Sequence, residues 1–224
     1  MNDQSHFQTI LASSIHDIKN SLTMVRELIM QVAAKQQSRK NQDFIQLEFE
    51  VNRMNSSLIQ LLQLYKIDSD KFSLEIDEYA VTDIFQEIKA QQSPLLKLNK
   101  LRFTLDCPEN LFCYCDYDHI CNALSSILNN AQRYTNSQIL LSAYQEQGSV
   151  VFCMEDDGEG YPKSMLTVDI TDLPANKWVS GSTCLGLYFV ATIAKLHQSQ
   201  GRGGFIKIDN NSVLGGARFR LFLP

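Results

Sequence analysis

Val150-Val151-Phe152-Cys153-Met154-Glu155-Asp156-Asp157-Gly158-Glu159-Gly160 joins an unbroken apolar run to an acidic, glycine-containing turn. A short apolar run bounded by turn residues reads as a buried strand, here over 149–156. The Asp-x-Gly-x-Gly at its end sets a carboxylate at a strand terminus and lets the backbone turn closely around a ligand. Such a carboxylate can accept a hydrogen bond from an exocyclic amine such as that of adenine. The bland alternatives are an acidic turn or a calcium loop, and the EF-hand spacing is not met.

Working outward, strand patterns occupy 72–76, 101–106, 111–115, 137–145, 204–208 and 216–223 as well. Helical patterns occupy 81–92, 117–133 and 184–197. Strands mixed with helices, without strict βαβ alternation, predict an α+β sandwich with helices on one face. In the helix over 117–133, Leu124, Ile127, Leu128 and Ala131 form an apolar face. Asn130 and Arg133 fall on the opposite side: a carboxamide oxygen suited to Mg²⁺ and a guanidinium suited to phosphate. Alone that is a weak signal, because a polar face is usually solvated. Gly181-Ser182-Thr183-Cys184-Leu185-Gly186-Leu187 opens the next helix, where free backbone N–H groups favour an anion. Neither a Walker A loop nor a dinucleotide fingerprint is present.

The first 67 residues differ in kind. They contain no Gly and no Pro, whereas the remainder holds all 10 Gly and all 5 Pro. Leu11, Ile15, Ile18, Leu22, Val25, Ile29 and Val32 alternate steps of four and three, and so do Phe44, Leu47, Val51, Met54, Leu58, Leu61 and Tyr65. A polar stretch, residues 36–41, separates them. This predicts an antiparallel helical hairpin over 1–67, followed by a second domain over 68–224. A lone hairpin buries too little apolar area to stand by itself, so the seams point to a homodimeric four-helix bundle. The alternative is packing on the chain's own second domain. On the flank of the first helix, His16 is followed by Asp17, which can hold one ring nitrogen and leave the other nucleophilic. Asn20 lies one turn on, on the same face.

Composition narrows the classes. Across 224 residues, 20 basic and 25 acidic side chains give a net charge of −5, which argues against a nucleic-acid binder acting through bulk charge. No apolar run reaches the roughly 18–20 residues of a membrane span, and no secretory signal opens the chain. Six scattered cysteines without a Cys-x-x-Cys pair read as reduced structural thiols in a cytoplasmic protein rather than as a metal site. His6, His119 and His197 receive no catalytic role, the last standing near a helix end where charge would favour the dipole.

Taken together and in order, these segments resemble the catalytic core of two-component sensor histidine kinases. His16-Asp17-Ile18-Lys19-Asn20-Ser21-Leu22 is similar to the H-box, and Leu128-Asn129-Asn130-Ala131-Gln132-Arg133-Tyr134-Thr135 to the N-box. Asp156 to Gly160 is similar to the G1 box and Gly181 to Leu187 to the G2 box, and Gly215 to Pro224 matches the family's final strand.

The resemblance implies a helical hairpin forming a dimeric four-helix bundle, then an α/β sandwich ATP-binding domain of the histidine kinase and Hsp90-like type. It implies ATP and Mg²⁺, autophosphorylation of His16, and transfer to an aspartate of a response regulator receiver domain. Asp17 would orient His16, and Asn20 would place the γ-phosphate or, in a phosphatase reaction, a water. Asn130 would hold Mg²⁺, Arg133 would touch phosphate and Tyr134 would lie near the base. Asp156 would bind the adenine amine in a pocket shaped by Gly158 and Gly160. Gly181, Gly186 and Leu187 would flank the phosphates under a lid over 161–180. Only about 15 residues precede His16, so input would come from a separate sensory protein unless the chain is a fragment; its starting Met points away from truncation.

Three departures stand out: Ser21 in place of Pro, Ser126 in place of the first N-box Asn, and Cys184 in place of a Gly of the G2 box. They leave open a second reading, a histidine phosphotransferase with a decayed ATP site relaying phosphate between receiver domains. A serine kinase of the same ATPase fold and a purely structural scaffold fit less well, the first because of His16 in its context, the second because of the glycine motifs.

Overall fold

The computed structural model describes residues 18, 22–30, 32, 42–68, 73–166 and 182–224. The chain divides into two compact units, Met1–Phe72 and Ser73–Pro224. In the first, residues 22–30 are helical (α1) and Gln42–Asp68 form a long helix, α2. The expected α2 seam splits into two rows. Val51 is 5% exposed, whereas Leu47, Met54 and Leu61, each seven residues apart, are 50%, 43% and 38% exposed.

Among the described residues, the second unit is built from α3 (Val81–Leu98), α4 (Tyr117–Tyr134), α5 (Lys163–Leu166), α6 (Ser182–Leu196) and nine strands. The strands are β1 (Asp77–Ala80), β2 (Arg102–Asp106), β3 (Phe112–Cys115), β4 (Gln138–Glu146), β5 (Ser149–Asp156), β6 (Gln198–Ser199), β7 (Arg202–Gly203), β8 (Phe205–Asp209) and β9 (Arg218–Leu223). Five make one sheet in the order β2-β4-β5-β9-β8, with β2 parallel to β4 and the other neighbours antiparallel. The fold is α+β.

The register shows which face is the core. Leu141, Met154 and Phe219 stand in one cross-strand row, and Ala143, Phe152 and Leu221 in the next; all six are buried. Against that face pack Ile84, Phe85 and Ile88 of α3, Leu124, Ile127 and Leu128 of α4, and Phe189, Val190 and Ile193 of α6. The Phe85 and Phe152 rings meet at 6.2 Å. The opposite face carries polar rows: Arg218 bonds Asp209 at 2.9 and 3.0 Å, and Arg220 bonds it at 3.1 Å. Alternation along the strands thus puts the core on one face, while the other is mixed, since beside these polar rows Phe205 stacks on Phe222 at 4.4 Å.

Three expectations shift. The strand expected at 72–76 lies at Asp77–Ala80, where it pairs with β3 in a separate two-stranded sheet. The helix expected to stop at 92 runs to Leu98 with Pro94 inside it, because its last turns bury Leu95 and Leu96. His197 does follow the end of α6, but it is buried there rather than charged. It is 1% exposed, its Nε2 accepts the N–H of Asp116 at 3.0 Å, and its Nδ1 meets the Ile193 carbonyl at 2.8 Å. Burial lowers its pKa, with the Ile193 carbonyl and Asp116 only partly opposing, so the neutral ring is favoured.

Asp116 begins α4. Its Oδ1 accepts from the backbone N–H of His119 at 3.1 Å, a helix N-cap, and meets His119 Nδ1 at 2.7 Å. Its Oδ2 accepts from the N–H of Glu75 at 2.9 Å. Among the described residues, no helix is long and apolar enough to cross a membrane.

Candidate functional site

Where β5 ends, the chain turns under the C-terminal half of α4. Between them lies a cavity of about 420 Å³. Its apolar lining comes from Ile127 and Ala131 of α4, Met154 of β5, Leu187 of α6 and Phe219 of β9; its polar lining includes Asn130, Arg133, Asn136, Asp156 and Glu159. Of the site residues read from the sequence, Asn130, Arg133, Tyr134, Asp156, Gly160 and Leu187 all line this one space. His16, Asp17, Asn20 and Gly181 lie outside the described residues, as does most of the expected lid.

Asp156 is 6% exposed, at the end of the central strand. Its Oδ1 accepts the N–H of Gly158 at 2.8 Å and of Ala217 at 3.1 Å. Its Oδ2 takes no hydrogen bond from any described residue. Burial pushes its carboxyl above the usual range; the two N–H donors pull it back and the neighbouring Asp157 pushes it further up. The result is a carboxylate with one oxygen tied down by the backbone and the other open to the cavity, ready to accept from a donor there.

Asp157, the next residue, does something different. Its Oδ1 accepts from Thr135 Oγ1 (2.6 Å) and from the N–H groups of Asn136 (2.9 Å), Ser137 (2.9 Å) and Gln138 (3.1 Å), and its Oδ2 accepts from Ser137 Oγ. Asn136 Nδ2 donates back to the Asp157 carbonyl at 2.6 Å. Desolvation works against the charge, but these donors outweigh it and hold the carboxyl well below the usual carboxylate range. Asp157 therefore latches the loop leaving α4 to the end of β5, and with it the position of Arg133 and Tyr134 relative to Asp156.

The glycines divide by what surrounds them. A Cβ on Gly158 would lie 2.1 Å from the Tyr134 carbonyl oxygen, so no side chain fits. Gly186 is buried where α6 crosses α4; a Cβ there would come within 2.9 Å of Ser126 Oγ and 3.4 Å of Asn130 Nδ2. It brings two helices together beside Asn130. Tyr134 is half exposed, with the Arg133 guanidinium 5.6 Å from its ring centre.

The loop between β8 and β9 was not read from the sequence, yet it grips this site. Gly216 N–H and Ser212 Oγ both donate to the Asp156 carbonyl, at 3.0 and 2.9 Å. Val213 N–H donates to Glu155 Oε1 at 2.8 Å. The only available signal was the Gly215-Gly216 pair, which marks a turn without naming its partner.

Comparison with known proteins agrees with this geometry. Residues 115–224 match the family "Histidine kinase-, DNA gyrase B-, and HSP90-like ATPase". The chain is similar to the sensor histidine kinase CssS of Bacillus subtilis, at 24% identity over 97% of this chain and 46% of the relative. It is also similar to the sensor histidine kinase GraS of Staphylococcus epidermidis, at 28% identity over 99% of this chain and 61% of the relative. Among solved structures, the Acinetobacter baumannii histidine kinase AdeS superposes with a TM-score of 0.62 at 18% identity, over 93% of this chain and 96% of that one. Full-length ShkA in complex with AMPPNP gives 0.65 at 16% identity, over 96% of this chain and 45% of that one. The residues from Cys115 onward are thus a domain of the histidine kinase-, gyrase- and HSP90-like ATPase class. The chain spans about half the length of the curated relatives it matches.

Proposed function

We propose that this chain is the catalytic core of an ATP-dependent protein-histidine kinase that phosphorylates its own His16 and passes the phosphoryl group to an aspartate of a separate response regulator. The observation that carries the reading is Asp156: buried at the end of β5, one oxygen held by Gly158 and Ala217, the other unbonded, on the wall of a cavity that Asn130 and Arg133 also line. A carboxylate oxygen open to the cavity complements the exocyclic amine of adenine. Ile127, Met154, Leu187 and Phe219 supply the apolar surround a flat base needs.

The side chains fit a nucleotide with its metal. Asn130 offers a carboxamide oxygen to Mg²⁺, and the Arg133 guanidinium matches a phosphate oxygen. When bound, Mg²⁺ neutralises phosphate charge. His16, unprotonated at one ring nitrogen, attacks the γ-phosphorus as the bond to the departing ADP breaks, while Asp17 holds the opposite N–H and Asn20 positions the phosphate. The same Asn20, orienting a water, would serve the reverse role of dephosphorylating the regulator.

The exposed row Leu47, Met54 and Leu61 supports a homodimer, because a second copy covering it completes a four-helix bundle. Sensory input would come from a separate protein or from further segments of a longer chain. Free thiols at Cys107, Cys113, Cys115, Cys121 and Cys153 suit a reducing cytoplasm.

The test is autophosphorylation with γ-labelled ATP and Mg²⁺, wild type beside His16→Ala and Asp156→Asn. Acid-labile label on wild type, absent from both variants, is expected. A wild type that neither binds nucleotide nor takes up label overturns the assignment.

A further inference from the structure

Gly160 turns the chain at φ 82°, and a Cβ there would lie 2.7 Å from Cγ and Oδ1 of Asn210. The residue that follows is held from both ends by that same carboxamide. Tyr161 N–H donates to Asn210 Oδ1 at 2.7 Å, and Asn210 Nδ2 donates to the Tyr161 carbonyl at 2.9 Å. The pair is reciprocal, so it needs one acceptor and one donor on a single side chain. A carboxylate lacks the donor at neutral pH and an alanine lacks both.

Asn210 does not itself line the cavity, but Tyr161 does, together with Pro162. Burial raises the Tyr161 phenol, and the carboxylates of Asp156 and Asp209 raise it further, so the ring stays neutral within electrostatic reach of Asp156. Asn210 also opens the loop whose later members, Ser212, Gly216 and Ala217, bond Asp156. One loop thus grips the turn at both ends, Asp156 at the start and Tyr161 at the finish.

We propose that Tyr161 is a ligand-contacting wall of the nucleotide site and that Asn210 is its positioning residue, fixing the ring against the base that Asp156 recognises. The inference rests on the ATP-site reading above. Asn210 sets how well the nucleotide binds and leaves the chemical step alone.

The experiment is calorimetric titration of the full chain with ADP and Mg²⁺, for wild type, Asn210→Ala, Tyr161→Ala and the double variant, with thermal melts to confirm folding. Asn210→Ala is expected to weaken ADP about three- to tenfold, the size of losing solvent-accessible hydrogen bonds, and to raise the KM for ATP with kcat unchanged. In the Tyr161→Ala background the same substitution is expected to cost much less, because the ring it positions is gone. Asn210→Asp keeps the acceptor for the Tyr161 N–H and sets a carboxylate against the Tyr161 carbonyl. Its ADP affinity is expected to fall at least as far as that of Asn210→Ala, because the carboxylate repels the Tyr161 carbonyl instead of donating to it. It also serves if the alanine variant fails to fold.

Wild-type affinity in Asn210→Ala, or losses that simply add in the double variant, would overturn the inference while leaving the ATP site intact. Failure of the wild type to bind ADP would overturn both.

Discussion

The Cβ that Gly216 lacks would stand 2.4 Å from Oδ1 of Asp156 and 2.5 Å from the backbone nitrogen of Gly158. These two atoms are hydrogen-bonded to each other in the cluster that aims the carboxylate. Gly216→Ala must therefore displace Asp156, and ADP affinity is expected to fall at least about tenfold, roughly 1.4 kcal/mol. Gly215→Ala is the control. Gly215 sits at φ 96° with nothing within 4 Å of its added Cβ, so it should lose about 1 kcal/mol of stability and little affinity. Equal ADP affinities for the two variants would refute this account of Gly216.

Asp157 offers a stability experiment on the same turn. Asp157→Ala strands the N–H groups of Asn136, Ser137 and Gln138 and should cost about 2 kcal/mol in urea unfolding. Asp157→Asn keeps an oxygen for them and should recover most of that loss. Because the folded carboxyl is held below its unfolded value of about 3.9, its stabilisation is complete above that pH and disappears as pH falls through the lower folded value. Asp157→Asn should accordingly flatten the acid limb below about pH 4, and an unchanged limb would exclude the latch as its source.

His197 sets a second pH dependence, higher up. Its folded pKa is depressed by burial, so the unfolded chain takes up this proton first. Stability is present above the unfolded value of about 6.5 and lost as pH falls towards the folded one. His197→Gln offers an oxygen to the Asp116 N–H, and it should show a melting temperature that changes less between pH 7.5 and 5.5 than that of wild type. Parallel profiles for the two proteins would count against His197 as the titrating group.

The row Leu47, Met54 and Leu61 makes self-association measurable. Met54→Lys and Leu61→Lys should halve the mass seen in sedimentation equilibrium, while Ser56→Lys, exposed but two residues off the row, should leave it unchanged. A wild type that sediments as a monomer would remove the bundle from the proposal.

How much of this was legible beforehand follows the chemistry of each residue. The central strands β5 and β9 announce themselves because both are dense in apolar side chains, and α4 because its apolar positions keep helical spacing. β1 hides because Asp77 and Glu78 are exposed on a short edge strand that buries almost nothing. Pro94 reads as a stop, yet the burial of Leu95 and Leu96 outweighs one missing backbone hydrogen bond. Asp156 and Asp157 are chemically identical in sequence. Spacing to Gly158 and Gly160 separates their roles, but only the fold shows that Asp157 is consumed by residues 135–138. Asn210 carried no signal at all, since an asparagine in a loop is ordinary and its partner lies 49 residues away.

The sheet order β2-β4-β5-β9-β8 has a consequence for synthesis on the ribosome. β8 is made before β9, yet its place in the sheet is on the far side of β9, and its register is fixed residue by residue against it, from Phe205 opposite Phe222 to Asp209 opposite Arg218. Until residues 218–223 emerge, β8 has no strand to join and β5 has one open edge. The loop that aims Asp156 is closed by the same event, because Gly216 and Ala217 lead directly into β9. A nascent chain is therefore free to pair β2, β4 and β5 as it grows, but it completes the sheet and the carboxylate geometry together, in a single step, when β9 arrives.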